Sequence, residues 1–165
     1  HEIRLEVRPA TWSPSHQELY NRYHLDMHER RDWPIHSENE TRYRDQFLSG
    51  DFDFTHDFLY YRGSQLVGVG IVDVLPEGLS SVYFYHDPDW RDDSPGTFTV
   101  MKEIEYARHT DRDYLYLGYW IRDCLSMNYK NRFVPHEILR EYVGDEDLPI
   151  WALVENDHQT TSESP

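Results

Sequence analysis

The chain has 165 residues, 38% hydrophobic and 28% charged, about one domain at roughly 150 residues each. Its longest apolar-plus-glycine runs, Leu66–Val72 and Tyr114–Ile121, fall short of the ~18–20 residues that cross a bilayer, and its one cysteine excludes an intramolecular disulfide and any cysteine-only metal or iron–sulfur site. Sixteen Lys and Arg against 31 Asp and Glu give a net charge of −15; such a surface repels a phosphate backbone, so a nucleic-acid role has to be local or completed by another segment.

No signal or transit pattern opens the chain, and His1 stands where a methionine would, as in a fragment or a processed protein. Residues 1–14 read as a short lead-in of unclear shape, and residues 15–155 as one domain. Ser15 and Glu18 have capping-box spacing and predict a helix start, after which Leu19, Tyr20, Tyr23 and Met27 form an apolar stripe at helical spacing. Trp33-Pro34 interrupts it. Ser37 and Glu40 repeat the capping spacing, Tyr43, Phe47 and Leu48 give a second stripe, and Gly50 is a stop.

Strands then follow: Phe58–Arg62 and Leu66–Leu75 joined at Gly63-Ser64, a turn at Pro76-Glu77-Gly78, and Leu79–His86. Alternation along the last strand puts Val82, Phe84 and His86 on one face and Ser81, Tyr83 and Tyr85 on the other. Asp87–Asp93 reads as a polar loop. Ser94-Pro95 is an N-cap followed by proline at the first helical position, and Val100, Met101, Ile104 and Ala107 carry that helix to about His109. Tyr114–Ile121 reads as a strand, and Leu125, Tyr129 and Phe133 as a short helix ending before Pro135. Residues 156–165 are a polar tail with the composition of a disordered end. The order strand, strand, strand, helix, strand from Phe58 to Ile121 predicts an α/β, GNAT-like fold: a mixed, mostly antiparallel sheet flanked by helices.

Several groups of residues are candidates for chemistry. From Tyr114 to Pro135, Arg122, Lys130 and Arg132 face one acid, Asp123, and are interspersed with Tyr114, Tyr116, Tyr119, Trp120 and Tyr129. Cations among aromatic faces suit an unpaired nucleotide end, where stacking is worth ~1–3 kcal/mol per base; a buried strand edge beside a solvated helix face gives the same composition. Ser94-Pro95-Gly96-Thr97 fits either an anion site at a helix start or ordinary capping. His24 and His28 share a helix face at a spacing that can bind zinc, but the glutamate of the zinc motif is missing and no metal site is assigned. Asp73 lies between Val72 and Val74, so its carboxylate is either a paired site residue or a solvated strand end. Cys124 has no catalytic neighbour in sequence.

Ser81-Val-Tyr-Phe-Tyr, Asp87-Pro88, Gly96-Thr97, Glu103-Ile-Glu-Tyr-Ala-Arg108, Tyr114-Leu-Tyr-Leu-Gly-Tyr-Trp-Ile, Cys124, Met127-Asn-Tyr-Lys130, Arg132-Phe133 and Pro135, with Tyr20, Tyr23 and His28 before them, resemble the C-terminal domain of aminoacyl-tRNA–protein transferases, the arginyltransferases and their bacterial leucyl-transferring relatives. The resemblance runs from about Leu19 to Pro135. It implies transfer of an aminoacyl group, leucine or arginine, from charged tRNA to the N-terminal amine of proteins beginning with Asp or Glu, a mark for degradation, in the cytoplasm. It implies no cofactor in this chain, because the family's iron–sulfur cluster belongs to an N-terminal domain outside this sequence. Met27, Pro95, Asp113 and Arg122-Asp123 depart from the family's usual residues and leave the donor and the Gly96 turn open.

On that resemblance, Lys130 and Tyr129 are expected at the 3′ end of the tRNA, beside Met127, with Arg132 on a phosphate and Gly96-Thr97 as a phosphate turn. Tyr116 is expected at the reaction centre and Tyr119 at its rim, since residues three apart on a regular strand point to opposite faces. Asp73 or His28 would accept the amine's proton, and Arg91, Lys130 or Arg132 would meet the acceptor's acidic side chain. An acyl-CoA-dependent N-acetyltransferase on the same scaffold is the first alternative, weakened by the single glycine of the 91–97 turn. A non-catalytic module that binds acidic N-termini is the second, and an inert structural fragment the third.

Overall fold

The computed structural model describes residues 2–34, 39–50, 52–121, 123–124, 127–144 and 146–154. Two compact units are present, divided after Tyr119.

In the first unit the lead-in is a strand, β1 (Ile3–Pro9), paired antiparallel with β2 (Thr55–Arg62) from Ile3↔Arg62 to Pro9↔His56. Ile3, Leu5 and Val7 alternate into the core, a two-residue period that identifies the strand in retrospect. α1 (Pro14–Arg31) is capped two residues before the Ser15 that the Ser15–Glu18 spacing predicts: the cap is Ser13, whose side chain accepts from His16 N, with Pro14 at the first helical position. Leu19, Tyr20 and Met27 of the expected stripe are buried, and the helix stops at Asp32 in the left-handed region (φ 55°). α2 (Glu40–Phe47) is capped by Asn39, which accepts from Arg42 N; the expected cap Ser37 lies outside the described residues.

β2, β3 (Gln65–Val74) and β4 (Gly78–His86) form the predicted antiparallel meander, turned at Gly63 (φ 62°). The expected polar loop after β4 is a 3₁₀ helix, Pro88–Asp93, because Asp87 caps it through Asp89 N and Trp90 turns inward to 1% exposure. Gly68 makes the space, since a Cβ there would stand 2.6 Å from Trp90 Cζ3. α3 (Pro95–His109) leads to β5 (Tyr114–Tyr116), parallel to β4. The sheet order is β1-β2-β3-β4-β5. One core, on the α1–α2 side, gathers Leu19, Tyr20, Tyr43, Leu59 and Tyr85; the other, on the α3 side, gathers Phe58, Tyr60, Leu79, Trp90 and Ala107. The mixed, mostly antiparallel sheet with helices on both faces is the expected architecture.

Two polar anchors tie α1 to the sheet. His16 Nε2 lies 3.4 Å from Asp57 Oδ2, both side chains fully buried, and Thr11 N donates to the same oxygen at 2.9 Å. Arg22 holds buried Asp87 with two bonds, of 3.1 and 3.0 Å, and Gln65 Nε2 donates to Asp87 at 3.1 Å.

In the second unit the expected Leu125–Phe133 helix is a five-residue 3₁₀ turn, Asn128–Arg132, with Leu125 outside the described residues. An antiparallel hairpin absent from the sequence reading follows, β6 (His136–Leu139) with β7 (Trp151–Val154). Arg122 and the tail 156–165 also lie outside the described residues.

Candidate active site

β5 meets β4 over only three residues, Gly78–Ser80 against Tyr114–Tyr116. Among the described residues, Ser81–His86 therefore has no strand on its β5 side, and its backbone N–H and C=O groups can pair with an extended ligand. A bulge falls within this stretch: Ile71 pairs with Tyr83, but Val72 with Ser81. The extra residue, Val82, resets the alternation. Ser81 consequently faces α3, donating to Glu103 Oε1 at 3.3 Å, whereas Tyr83 packs toward α1. The sequence expectation that Ser81 and Tyr83 share a face is corrected by this one inserted residue.

Below the bulge, Asp73, Ser80 and Tyr116 are register partners in one row across β3, β4 and β5. Asp73 is half-buried and accepts from Thr55 Oγ1 at 2.7 Å, so it is the paired carboxylate of the two readings. The ring of Tyr116 stacks with Tyr114 at 6.2 Å. Gly78 leaves room for that pair, because a Cβ there would lie 2.9 Å from the Tyr114 carbonyl and 3.3 Å from Tyr116 Cε2. The strand expected to reach Ile121 ends at Tyr116, and Gly118 adopts φ 70°. The opposite-face argument for Tyr116 and Tyr119 thus lapses: Tyr119 lies beyond the strand and is exposed.

Above the bulge, α1 lays a ring-rich wall against β4. His24 stacks on Tyr20 at 4.1 Å and bonds Tyr83 Oη through Nε2 at 3.0 Å. Burial pushes the Tyr83 phenol far up, so it stays neutral. His28 donates Nδ1–H to the Trp33 carbonyl at 2.6 Å; in the neutral ring that leaves the lone pair on Nε2. His86 donates Nδ1–H to the Asp87 carbonyl at 2.8 Å, and burial pushes its pKa down. Arg91 and Arg30 both pair with Asp26. Although burial opposes it, their hydrogen bonds hold the Asp26 carboxyl below its ordinary value. Among the described residues no group of three or more His, Cys, Asp or Glu side chains gathers as metal ligands would.

At the start of α3, Ser94 is the cap residue but its side chain makes no capping bond, because it sits at φ 55°. The Thr97 and Phe98 amides already bond to the Ser94 carbonyl, at 3.0 and 3.1 Å, and the Thr99 hydroxyl donates to Gly96 O. Pro95 has no amide to offer. The anion site expected at Gly96-Thr97 is therefore reduced to the Gly96 side of the turn.

In the second unit, Met127, Tyr129 and Lys130 are half-buried and Arg132 is exposed. Side chains eclipse every three residues in a 3₁₀ helix, so Tyr129 aligns with Arg132 and Lys130 turns to another side. Within the first unit Asp73 and Tyr116 share a row of the sheet, whereas Arg91, paired with Asp26, and His28, bonded to the Trp33 carbonyl, are held beside α1, and Gly96, Thr97 and Tyr119 lie apart from both. Tyr83, His24, His86 and Asp26 are further polar groups along α1 and β4; sequence reasoning missed them because their neighbours come from distant segments.

Residues 15–140 match the family model described as arginine-tRNA-protein transferase, C terminus. An aspartate/glutamate leucyltransferase of Helicobacter hepaticus is 38% identical over 151 residues, 92% of this chain and 63% of that one. Another, from Campylobacter jejuni, is 34% identical over 134 residues, 81% of this chain and 56% of that one. The chain spans less than two thirds of the length of either relative. Among solved structures, a ribosomal-protein-alanine N-acetyltransferase from Brucella melitensis biovar Abortus superposes with a TM-score of 0.62 at 15% identity, covering 87% of this chain and 97% of that one. The ribosomal-protein-S18-alanine N-acetyltransferase of Escherichia coli gives 0.58 at 10% identity, covering 97% and 100%. At such identities the likeness shows the GNAT-like fold alone.

Proposed function

Because the chain belongs to the family of arginine-tRNA-protein transferase C-terminal domains, we propose that it transfers an aminoacyl group from charged tRNA to the N-terminal amine of proteins that begin with Asp or Glu. The family match over residues 15–140 carries this reading. The free β4 stretch beside a ring-lined wall supports it, as a place where an extended acceptor and an acyl group can meet. Relatives named aspartate/glutamate leucyltransferase at 34–38% identity favour leucine as the donated residue.

The chemistry is aminolysis of an ester. The acceptor nitrogen attacks the aminoacyl carbonyl, the carbonyl–oxygen bond to the ribose breaks, and the amine's proton ends on the departing hydroxyl. The ester is already activated, so most of the acceleration comes from holding the two reactants in line. The amine's proton would go to Asp73, which shares a row with Tyr116, or to His28, whose Nδ1–H is held by the Trp33 carbonyl so that Nε2 is left to receive it. Asp73 acts with Tyr116 as the polar row beside the acyl group. A donor aimed at the developing oxyanion is worth ~2.7–4 kcal/mol in other acyl transfers; Lys130, Tyr129 and Met127 take the tRNA 3′ end, Arg132 a phosphate, Tyr119 the rim beside Tyr116, and the Gly96 side of the Gly96-Thr97 turn a further phosphate. Arg91 meets the acceptor's acid.

An iron–sulfur cluster does not fit this chain, whose one cysteine cannot supply a set of thiolates. No helix among the described residues is long and apolar enough to cross a membrane, and charged tRNA as co-substrate points to the cytoplasm. Incubation with radiolabelled leucyl- and arginyl-tRNA and with Asp-, Glu- and Ala-initiated peptides tests the reading. Label should enter the acidic peptides only; label in none of them would refute it, and binding of acetyl-CoA at Gly96-Thr97 would favour acetyl transfer instead.

A further inference from the structure

Two arginines meet one carboxylate where α1 passes the 3₁₀ helix. Arg30 Nε donates to Asp26 Oδ2 at 3.1 Å, one turn along α1, and Arg91 Nη2 pairs with the same oxygen. Nε and Nη2 of Arg91 are both buried, and neither makes a hydrogen bond of good geometry among the described residues, so Asp26 meets Nη2 as an ion pair. Nε and Nη2 together form the side edge of the guanidinium, on which a carboxylate seats with both oxygens. Asp26 lies against one end of that seat without completing either bond, and buried donors left unmet call for a ligand to explain them.

Accessibility sets this cluster apart from the other cross-segment arginine of α1. Asp87, held by Arg22 and Gln65, is 2% exposed, so nothing can replace it. Asp26 keeps 19% of its side chain exposed, Arg91 33% and Arg30 38%. The two guanidiniums outnumber the carboxylate, in a chain that is otherwise strongly acidic. The Tyr23 phenol and the His86 ring beside it carry no charge at neutral pH, since burial raises the one and lowers the other.

We propose that Asp26 is an internal stand-in for the acceptor's acidic side chain, and that an N-terminal Asp or Glu displaces it from the Nε–Nη2 edge of Arg91 while Arg30 keeps hold of it. The proposal rests on the reading of this chain as the acceptor-binding part of a transferase. Asp26 then sets selectivity, because a neutral side chain has nothing with which to compete against a tethered carboxylate.

Calorimetric binding of Asp-initiated and Asn-initiated peptides, without tRNA, tests it. Asp26→Asn should tighten the Asp peptide about tenfold and leave the Asn peptide unchanged. Arg91→Gln should weaken the Asp peptide about tenfold or more, again selectively, and Arg91→Lys, which keeps the charge but loses the edge, should behave like Arg91→Gln. An unchanged Asp-to-Asn ratio in Asp26→Asn, equal weakening of both peptides in Arg91→Gln, or no peptide binding by any form would overturn the proposal. So would an Arg91→Gln protein that loses affinity for deacylated tRNA while its peptide ratio stays intact, since the arginine would then serve a phosphate. Binding is read without acyl transfer, so an inactive but peptide-selective chain would refute the activity and leave the stand-in role standing.

Discussion

His24 Nε2 and the Tyr83 hydroxyl lie 3.0 Å apart, a bond between α1 and the bulged part of β4. It fixes the ring that the extra residue Val82 turns toward α1. Tyr83→Phe keeps the ring and removes the bond, and should cost about 1 kcal/mol. Scanning calorimetry should show a melting temperature lower by a few degrees; an unaltered transition would mean that the bond contributes nothing net.

Lys130→Ala should abolish transfer to Asp- and Glu-initiated peptides while the far-ultraviolet spectrum stays that of the parent. Full transfer by this variant would remove Lys130 from the chemistry. Tyr129→Phe, which keeps the ring for stacking, should retain a large share of activity.

Much of the first unit can be read from residue order alone, because its signals are local. The meander from Phe58 to His86 follows from alternation and the Gly63-Ser64 turn, and α1 from the stripe Leu19, Tyr20, Met27. The misses share one cause, which is that tertiary partners decided them. β1 exists because β2 offers it a ladder, the Asp87–Asp93 segment winds up because Trp90 has a pocket over Gly68, and β5 is short because Gly118 leaves the strand conformation. The candidate site could be read from residue types only in part. His28, Asp73 and Tyr116 stand out by type, whereas the pairing of Asp26 with Arg91 spans 65 positions between α1 and the 3₁₀ helix and leaves no local trace.

Asp57→Ala should destabilise the chain by roughly 1–3 kcal/mol, the usual result of leaving a buried donor unmet. His16 and the Thr11 amide would both lose the Asp57 oxygen. Urea denaturation measures the loss, and a midpoint equal to the parent's would show that the pair is not held in solution.

Burial depresses His86 below its ordinary value, roughly 6.5. Between that value and the lower folded one, the unfolded chain takes up a proton that the folded chain refuses, so stability should fall as the pH drops through this window and level off beneath it. His86→Gln should flatten that slope. Asp26 acts at lower pH: its depressed carboxyl keeps its contribution above the ordinary carboxylate value, and loses it as pH falls through the folded one.

Gly78→Ala should loosen the β4–β5 pairing, since its Cβ would press on the Tyr114 carbonyl at 2.9 Å. Overpacking of this kind costs typically ~1–3 kcal/mol. Quenching of tyrosine fluorescence by acrylamide should rise as Tyr114 and Tyr116 separate; a variant as stable as the parent would show that the strand yields freely.

Asp87 has a consequence for motion. It accepts from Arg22 on α1, Gln65 on β3 and the Asp89 amide within the 3₁₀ helix, all through one buried carboxylate. None of these three segments can swing open without stranding that charge away from water. Their amides should therefore exchange with solvent as a single cooperative block, so that the region beside Arg91 breathes all at once or not at all.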